Sequence, residues 1–423
     1  MSVNFKNKAV IFDMDGLMFD TERVCVDAWN YAGEKLGLGK TGYMVLKTLG
    51  INANAAREVW FAEFGERYDE QAIRKYSDEF LKEYYAKNKV PVKKGLYELL
   101  EYLKMNGYKL AVASSTGQCG VEAHLKDAGI FEYFGAIVCG DMVERSKPEP
   151  EIYLKACEML GEKPCDCYAL EDSRNGLLSA YRAGCKPIMV PDLWEPTDEI
   201  LKIIVAKFDN LDGVREYFKS RKPLKLLYGT KNPAKIDDMR RRLQTLDVDI
   251  IGLNDVDTDI PDIAEDGKSP LENAEKKALG YFAAFKTPVF SCDSGLYIDG
   301  LPDDLQPGVH VRTVNGKYLN DDEMLAYYSE LAEKYGDLTA RYKNAICFVQ
   351  DDEHIYSAMD NAMESEPFII TSKPHPTVKK GFPLDSLSVD IGTKKYYYDL
   401  TDDREKAYNA DDGFLQFFKK HIT

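Results

Sequence analysis

The amino-acid sequence predicts an α/β protein in which two α/β units follow one another along the chain. Short apolar runs alternate with helical patterns through the first half, which is typical of a parallel sheet covered by helices. A charged segment at 219–223 ends in proline and precedes a new apolar run, as expected of a linker between domains. With 423 residues, the chain is long enough for each unit to bury its own core.

Five strands are predicted in the first unit, from short apolar runs that stop at polar residues or glycine. These runs lie at 9–12, 110–113, 136–139, 168–170 and 188–190. Between the first two runs the chain has helical periodicity without a strand pattern, and it is too long for a simple crossover. We therefore expect a helical cap at 18–90, inserted into a core formed by 1–17 and 91–218.

The second unit is predicted to run from 224 to 423. Its first strand is expected at 224–228, ahead of a Gly-Thr turn and a helix, with further strands at 287–291 and 345–350. The strand, turn and helix at its start are also the arrangement that places a helix N-terminus beside a bound anion.

The composition argues against several kinds of partner. The formal net charge is -16, whereas nucleic acids and anionic membranes recruit clustered Lys and Arg. No run of about eighteen apolar residues occurs, and the start of the sequence lacks a signal-peptide pattern. Nine cysteines are scattered without the paired spacing of a zinc site. We therefore expect a cytoplasmic protein with reduced thiols that acts on small molecules.

Four groups of chemically active residues occur at or near the ends of the first five strands, where open α/β sheets bind ligands. They combine two carboxylates one residue apart, hydroxyl donors, a lysine and an acidic pair. The residues are Asp13 and Asp15, Ser114 and Ser115, Lys147, and Glu171 and Asp172.

The first of these groups, taken alone, has an ordinary interpretation, because an Asp-x-Asp-Gly segment is also typical of a solvated acidic turn or a helix cap. The other three groups argue against it. Hydroxyl groups can hold phosphoryl oxygens, Lys147 can neutralise charge on a transferring phosphoryl group, and an acidic pair suits Mg²⁺, which prefers hard oxygen ligands.

In this order, the four groups resemble the haloacid dehalogenase (HAD) superfamily, in the branch with a helical cap after the first motif. The resemblance covers about residues 6–218 and is carried by the segments IFDMDGLMFDTE, AVASSTG, SKPEPEIY and ALEDSRNGLLSAYRAG. It implies a Rossmann-like HAD core and hydrolysis of a phosphate ester through an aspartyl-phosphate.

The superfamily's roles transfer to individual residues of this sequence. Asp13 would be the nucleophile, and Asp15 would protonate the leaving alkoxide and then activate water. Ser114, Ser115 and Lys147 would bind the phosphoryl oxygens. The resemblance also implies a Mg²⁺ cofactor, with metal ligands at Asp13, Asp15, Glu171 and Asp172.

Within the superfamily, the sequence is similar to β-phosphoglucomutase and to small sugar-phosphate or pseudouridine-phosphate phosphatases. In the mutase a cap histidine helps to restrain water attack on the phosphoenzyme, and Cys25 stands at that position here. A phosphatase is therefore favoured over a mutase. In this family the cap residues at about 21–29 face the site, so they are expected to set leaving-group specificity.

A second phosphate-binding group is predicted where the second unit begins. Thr230, Asn232 and Lys235 bring hydroxyl, amide and ammonium groups to a helix N-terminus, which attracts anions. Taken alone, a strand, a turn and a lysine-rich first helical turn are also ordinary structure. The segments that follow decide between the two interpretations.

The order of the later segments resembles the inosine triphosphate (ITP) pyrophosphatase family, which cleaves non-standard purine nucleoside triphosphates to the monophosphate and pyrophosphate. The resemblance covers about residues 224–418 and implies a second α/β domain of the ITP pyrophosphatase type. It implies triphosphate binding by Thr230, Asn232 and Lys235, metal binding by Asp262 and Asp293, a catalytic role for Asp293, and phosphate contacts from Lys277 and Arg312.

This second resemblance has three departures. Cys292 replaces the first acid of the family's acidic pair, and the GF-x-x-DP signal is reduced at 381–386. The family's Ser-His-Arg, which contacts the purine, is replaced by Ala410, Asp411 and Asp412, although Glu405 and Lys406 before it are kept. Two carboxylates in place of a cation and an imidazole reverse the polarity of the base pocket, so base specificity is not inherited.

The sequence therefore supports two hypotheses. In the leading one the protein is a bifunctional enzyme of nucleotide metabolism, whose C-terminal domain makes a nucleoside monophosphate and whose N-terminal domain removes the remaining phosphate. In the rival one, a sugar-phosphate phosphatase or phosphomutase carries an inactive C-terminal module for nucleotide sensing or dimerisation. Both predict small phosphate esters or nucleotides as ligands, with the C-terminal domain as the candidate surface for a homodimer.

Overall fold

A computed structural model describes residues 9–48, 53–221, 223–379, 382–400 and 412–422. The chain divides into two compact units, one containing Lys6–Lys222 and the other Pro223–Thr423. Each unit has its own sheet and its own hydrophobic clusters.

The first unit is built on a six-stranded parallel sheet with the strand order β3-β2-β1-β4-β5-β6. Its strands are β1 Ala9–Phe12, β2 Lys109–Ser114, β3 Ala136–Cys139, β4 Cys167–Glu171, β5 Lys186–Met189 and β6 Ala206–Lys207. The five predicted strands are confirmed. The sixth has only two residues, which is too short to give a periodic pattern.

Helices cover both faces of this sheet, so the strand β1 is apolar on both of its sides. Val10 and Phe12 belong to one hydrophobic cluster, whereas Ala9 and Ile11 belong to another, as alternation along a strand between two helical layers requires. The helices of this core are α5 Leu96–Met105, α6 Gln118–Asp127, α7 Glu151–Leu160, α8 Arg174–Ala183, α9 Asp198–Leu201 and α10 Leu211–Ser220.

A helical cap lies between β1 and α5. It contains α1 Thr21–Lys35, α2 Met44–Thr48, α3 Ala53–Phe64 and α4 Glu70–Lys87. The chain enters the cap at 18–20 and leaves it at 91–93, and we call these two segments the hinge. Phe19 and Val92 form an antiparallel bridge there, while the Asp20 amide donates to the Pro91 carbonyl at 2.8 Å. The cap therefore starts and ends at one place on the core.

The second unit contains a mixed sheet in the order β15-β14-β12-β9-β7-β8, with β13 also paired to β12. Its strands are β7 Leu224–Tyr228, β8 Val248–Gly252, β9 Val289–Ile298, β12 Leu338–Val349, β13 Ile355–Ala358, β14 Phe368–Ile370 and β15 Ser388–Asp390, besides the short hairpin of β10 Thr313–Val314 and β11 Lys317–Tyr318. Its helices are α11 Pro233–Arg242, α12 Pro270–Phe285, α13 Asp321–Tyr335 and α14 Gly413–His421.

The strands predicted at 287–291 and 345–350 overlap β9 and β12 at 289–291 and 345–349, and both observed strands are longer than expected. Their additional halves carry polar residues and glycine at 292–295 and 339–344, which interrupt the apolar pattern. These parts are nevertheless strand, because β9 and β12 pair antiparallel over ten residue pairs. Within the described part of the chain, no helix has the length and apolar character that a membrane crossing would need.

Two candidate active sites

The first candidate site lies at the carboxyl ends of β1, β2 and β4. Asp13 directly follows β1, and its amide donates to the carbonyl of Leu170 on β4 at 3.0 Å. The Lys147 ammonium donates to Asp13 Oδ1 and to Glu171 Oε1, both at 2.6 Å, and to the carbonyl of Ala113 at 2.9 Å. One lysine thus joins three neighbouring strands, and its side chain is only 6% exposed.

Beside Lys147 is a buried group of three acids. Asp13, Glu171 and Asp172 each offer a carboxylate oxygen, and these oxygens lie within 4.8 Å of one another. Gly16 leaves the space for this group, because a Cβ there would lie 2.2 Å from Asp172 Oδ2, and its φ of +83° also favours glycine. A buried set of hard oxygen ligands fits a divalent cation such as Mg²⁺.

The charges in this group are not balanced within the protein. Burial raises the pKa of Asp13, an effect that Lys147 reduces and the carboxylates of Glu171 and Asp15 reinforce. Burial also raises the pKa of Asp172, together with the charges of Asp13 and Glu171. Burial lowers the pKa of Lys147, but the two carboxylates that it contacts raise it further than burial lowers it. Three buried carboxylates share one ammonium group, so the site favours an additional cation.

Glu171 is held in place by a tyrosine that the sequence analysis missed. The Tyr153 hydroxyl on α7 donates to Glu171 Oε1 at 2.7 Å, and the amide and hydroxyl of Ser173 donate to Oε2 at 3.3 and 3.1 Å. Tyr153 is fully buried among apolar residues of α7. In sequence it is therefore indistinguishable from an ordinary core residue.

Asp15 accepts hydrogen bonds from hydroxyl groups and does not belong to the group of three acids. Thr21 donates to Oδ1 at 2.7 Å, while Thr116 and Ser114 donate to Oδ2 at 2.7 and 3.3 Å. Asp15 is among the residues expected to bind the metal, and both of its carboxylate oxygens accept hydrogen bonds from hydroxyl groups. Ser115, expected to bind phosphate, is exposed. Thr21 begins the segment 21–29 that was expected to face the site, and Thr116 is the third hydroxyl residue of the Ser114–Thr116 run that was expected to hold phosphoryl oxygens.

Two residues of the first cap helix lie within the electrostatic field of this site. Burial, followed by the charges of Asp15 and Asp192, raises the pKa of Glu22 to about 7. Burial, followed by the charges of Glu22 and Asp15, raises the pKa of Cys25 to about 12. The start of α1 therefore lies close to Asp15, which Thr21 also contacts.

Residues 7–184 match the haloacid dehalogenase-like hydrolase family. The protein YhcW of Bacillus subtilis (strain 168) is 38% identical over 195 residues, a match that covers 44% of this chain and 84% of the relative. The chain belongs to the haloacid dehalogenase-like hydrolases. It is accordingly a hydrolase.

Other HAD-like relatives also match slightly less than half of this chain. The Phosphorylated carbohydrates phosphatase of Thermotoga maritima is 33% identical over 190 residues, covering 43% of this chain and 83% of the relative. A crystal structure of CbbY from Rhodobacter sphaeroides in complex with phosphate is 28% identical, with a TM-score of 0.41, and covers 49% of this chain and 95% of that chain.

The second candidate site begins at the turn after β7. The amide of Asn232 donates to the Thr230 hydroxyl at 3.2 Å, and Asn232 Oδ1 caps α11 by accepting from the Ala234 amide at 2.9 Å. Lys235 is exposed on the first turn of α11. The three residues predicted to bind triphosphate thus share one helix N-terminus.

Asp293 lies in the middle of β9 and is held by α12. The Lys277 ammonium donates to Asp293 Oδ1 at 3.2 Å and to Glu265 Oε2 at 3.0 Å. The side-chain amide of Asn273 donates to Asp293 Oδ2 at 2.9 Å. Burial lowers the pKa of Lys277, but the charges of Asp293 and Glu265 raise it by more. Asp293 and Lys277 were predicted from the sequence, but Glu265 and Asn273 were not. Glu265 is one of several acidic residues in its segment, and Asn273 is an ordinary polar residue of a helix. Burial raises the pKa of the neighbouring Cys292 thiol to about 12.

The other residues expected here are more dispersed. Asp262 is exposed in the segment before α12, and in the described ranges the second unit holds no group of three acids like that around Asp13. Arg312, expected to contact phosphate, donates to Asp321 at 2.8 Å.

Asp412 caps α14 by accepting from the amides of Phe414 and Leu415, and it pairs with Arg242. Its carboxylate is therefore already engaged. Asp411, Ala410, Glu405, Lys406 and Gly381, which the sequence analysis also named, lie outside the described residues.

Residues 226–404 match the Ham1 family. The second half is thus a Ham1-like domain, of the ITP pyrophosphatase type that the segment order predicts. The match includes the Thr230 turn, Lys277 and Asp293.

Proposed function

We propose that the N-terminal half is a Mg²⁺-dependent phosphatase that forms an aspartyl-phosphate at Asp13, and that the C-terminal half is a nucleoside triphosphate pyrophosphatase with altered base specificity. The contact of one buried lysine with both Asp13 and Glu171, beside the group of three acids, carries the first part. The Ham1 match and the Lys277–Asp293 pair support the second.

Asp13 acts as the nucleophile in this proposal. Its carboxylate oxygen attacks phosphorus, the bond to the leaving oxygen breaks, and water later hydrolyses the aspartyl-phosphate. Lys147 holds Asp13 and neutralises part of the charge that builds up on the transferring group. Asp13, Glu171 and Asp172 would hold Mg²⁺, which when bound offsets the repulsion between the nucleophile and the phosphate.

Asp15 acts as the general acid and then as the general base. The three hydroxyl groups of Thr21, Ser114 and Thr116 hold its carboxyl group at the end of the sheet, and in sequence Asp15 is two residues after the nucleophile. It gives a proton to the leaving oxygen in the first step and takes one from water in the second. Cys25, in place of a cap histidine, favours release of phosphate to water over its return to a sugar.

The test is the substitution Asp13→Asn in the full chain. An amide is a poor nucleophile and a poor Mg²⁺ ligand, so release of phosphate from small phosphate esters should be lost. Phosphate release with and without Mg²⁺ is measured beside circular dichroism, which checks the fold. Asp209→Asn, at an exposed position between β6 and α10, is the matched control and should keep full activity. Substantial turnover by folded Asp13→Asn protein would rule out the covalent mechanism.

The C-terminal activity is tested separately from the phosphatase. The full chain carrying Asp13→Asn should release pyrophosphate from a nucleoside triphosphate. Adding Lys277→Met to this protein should abolish the release, because Lys277 is the cation that contacts Asp293. Thermal unfolding of the Lys277→Met protein checks that the second unit is still folded. Absence of pyrophosphate release across a panel of triphosphates would favour the rival hypothesis of an inactive sensing or dimerisation module.

Base specificity gives a further prediction. Asp411 replaces a donor that recognises an oxo-purine, and an ionised carboxylate can only accept hydrogen bonds. ITP and XTP are therefore expected to be poor substrates relative to triphosphates with amino-bearing bases. The measurement is kcat/KM for ITP beside ATP, GTP and the pyrimidine triphosphates. A preference for ITP of tenfold or more, about 1.4 kcal/mol, would show that Asp411 does not line the base pocket.

Four further sequence predictions stay predictions: the domain boundaries, the assigned site residues, the cytoplasmic location and a homodimer through the C-terminal half.

A further inference from the structure

The cap contains a cavity of about 270 Å³ between α1, α3 and α4. Three aromatic side chains, Trp29, Trp60 and Tyr68, are among the residues that line it. The Trp29 and Trp60 ring centroids are 5.1 Å apart, and Tyr68 stacks on Trp60 with centroids 5.4 Å apart and an interplanar angle of 16°. The cavity wall therefore has a large aromatic component.

Helix α1 connects this cavity to the catalytic site. Thr21, at its start, donates to Asp15, whereas Cys25 and Trp29 line the cavity. Residues four apart lie on the same face of a helix, so one face of α1 carries Thr21, which contacts Asp15, and then Cys25 and Trp29. The effect of the Asp15 charge on the Cys25 thiol agrees with this short separation.

Three of the charged side chains that line the cavity are paired with one another. Glu70 accepts from Arg57 at 2.6 Å and from Arg74 at 3.0 Å, and all three line the cavity. A sugar buried here would need hydrogen bonds for each hydroxyl group, because a buried hydroxyl without a partner costs free energy. A flat aromatic ring instead buries its faces against aromatic walls and can stack on the arginines.

We infer that this cavity receives the base of the leaving group, and that the phosphatase acts on nucleoside 5′-monophosphates in preference to sugar phosphates. The inference rests on the proposed phosphatase activity and names its substrate class. The base lies in the cavity, and the phosphate lies at Asp13. Such a substrate is also the product of the pyrophosphatase reaction proposed for the second half of the chain.

The first test fills the cavity. Ala56 on α3 lines it, whereas Ala62 on the same helix is exposed. Ala56→Leu should lower kcat/KM for nucleoside monophosphates by about tenfold or more and leave kcat/KM for glycerol 3-phosphate unchanged, because that ester has no base to place. Ala62→Leu should change neither. An equal loss on both esters, or a wild-type preference for glucose 6-phosphate over every nucleoside monophosphate, would overturn the inference.

The second test measures binding without catalysis. All three tryptophans of the protein, Trp29, Trp60 and Trp194, lie in the first half, so tryptophan emission of the full chain reports on that half alone. Titration with adenosine, guanosine, cytidine and uridine should give saturable quenching by at least one of them, weakened in Ala56→Leu and kept in Ala62→Leu. No quenching of the wild type by any nucleoside would overturn the inference. Quenching without hydrolysis of any ester would support the cavity and refute the phosphatase proposal instead.

Discussion

The ionisation of Glu22 links the electrostatics of the first site to the stability of the fold. Its pKa is raised from 4.5 to about 7, first by burial and then by the charges of Asp15 and Asp192. A carboxyl group whose pKa is higher in the folded state destabilises that state when it is ionised. This loss of folding free energy is absent below about pH 4.5 and complete above about pH 7. The full pKa shift corresponds to roughly 3 kcal/mol.

We therefore predict that Glu22→Gln stabilises the metal-free protein at pH 8, by on the order of 1–3 kcal/mol, and has little effect at pH 4.5. The free energy of unfolding is measured in EDTA from urea titrations followed by tryptophan emission. Glu34→Gln, exposed on the same helix, should show no such dependence on pH. An equal gain at both pH values would mean that ionisation of Glu22 is not the cause.

Most of the first site could be predicted at the residue scale, since Asp13, Glu171 and Asp172 lie at the ends of neighbouring strands and Lys147 lies in the segment after β3. The side chains that hold them could not. Tyr153 reaches Glu171 from a helix whose apolar pattern hides it. The position of Asp15 among hydroxyl groups depends on Thr21, which the cap brings back to the core. Such contacts depend on how elements pack and leave no local pattern in the sequence.

At the scale of elements, α8 shows how a helix start is fitted to the site. Ser173 caps α8 by accepting from the Gly176 amide at 3.1 Å, and it also contacts Glu171. A Cβ at Gly176 would lie 1.8 Å from Glu171 Oε1. Glycine is therefore needed here for close approach to a buried carboxylate, although it weakens a helix.

Gly176→Ala should accordingly destabilise the first unit, by roughly 2 kcal/mol or more, and abolish phosphatase activity. In an unconstrained helix the same change is expected to stabilise by about 1 kcal/mol. Gly213→Ala in α10 is the matched control, because its Cβ would meet Phe208 at 3.2 Å and not a carboxylate. Unfolding followed by tryptophan emission gives the stabilities. A neutral or stabilising effect of Gly176→Ala would contradict this account of α8.

The strands of the two units differed in how well the sequence located them. The first five strands of the parallel sheet are short and apolar, because helices cover both of their faces, so their positions could be predicted. In β9 the apolar run is followed by polar residues and glycine at 292–295, and in β12 the apolar run is preceded by the largely polar stretch 339–344. Pairing of the two strands with each other, which composition does not reveal, continues through these halves.

At the scale of the whole molecule, the two compact units predict that the chain can be divided. Each has its own hydrophobic clusters, around Val10 and Phe12 in the first unit and around Phe290 and Phe348 in the second. Fragments 1–218 and 223–423 should both be soluble and folded, and the first should keep full activity on small phosphate esters.

Circular dichroism and phosphate release by each fragment, and by an equimolar mixture compared with the intact chain, provide the measurement. A mixture should match the intact chain in both activities. Aggregation of both fragments would instead indicate that each unit depends on the other for burial of apolar surface.

The hinge has a consequence for how the cap could have been acquired and how it can move. Its two segments are hydrogen-bonded side by side at Phe19 and Val92, so for the core the entire cap is a loop whose ends already touch. Loop-closure entropy grows only slowly with length, so inserts of other sizes could occupy this place at nearly constant cost to the core. A swing of the cap about these two segments would likewise leave every strand of the parallel sheet paired.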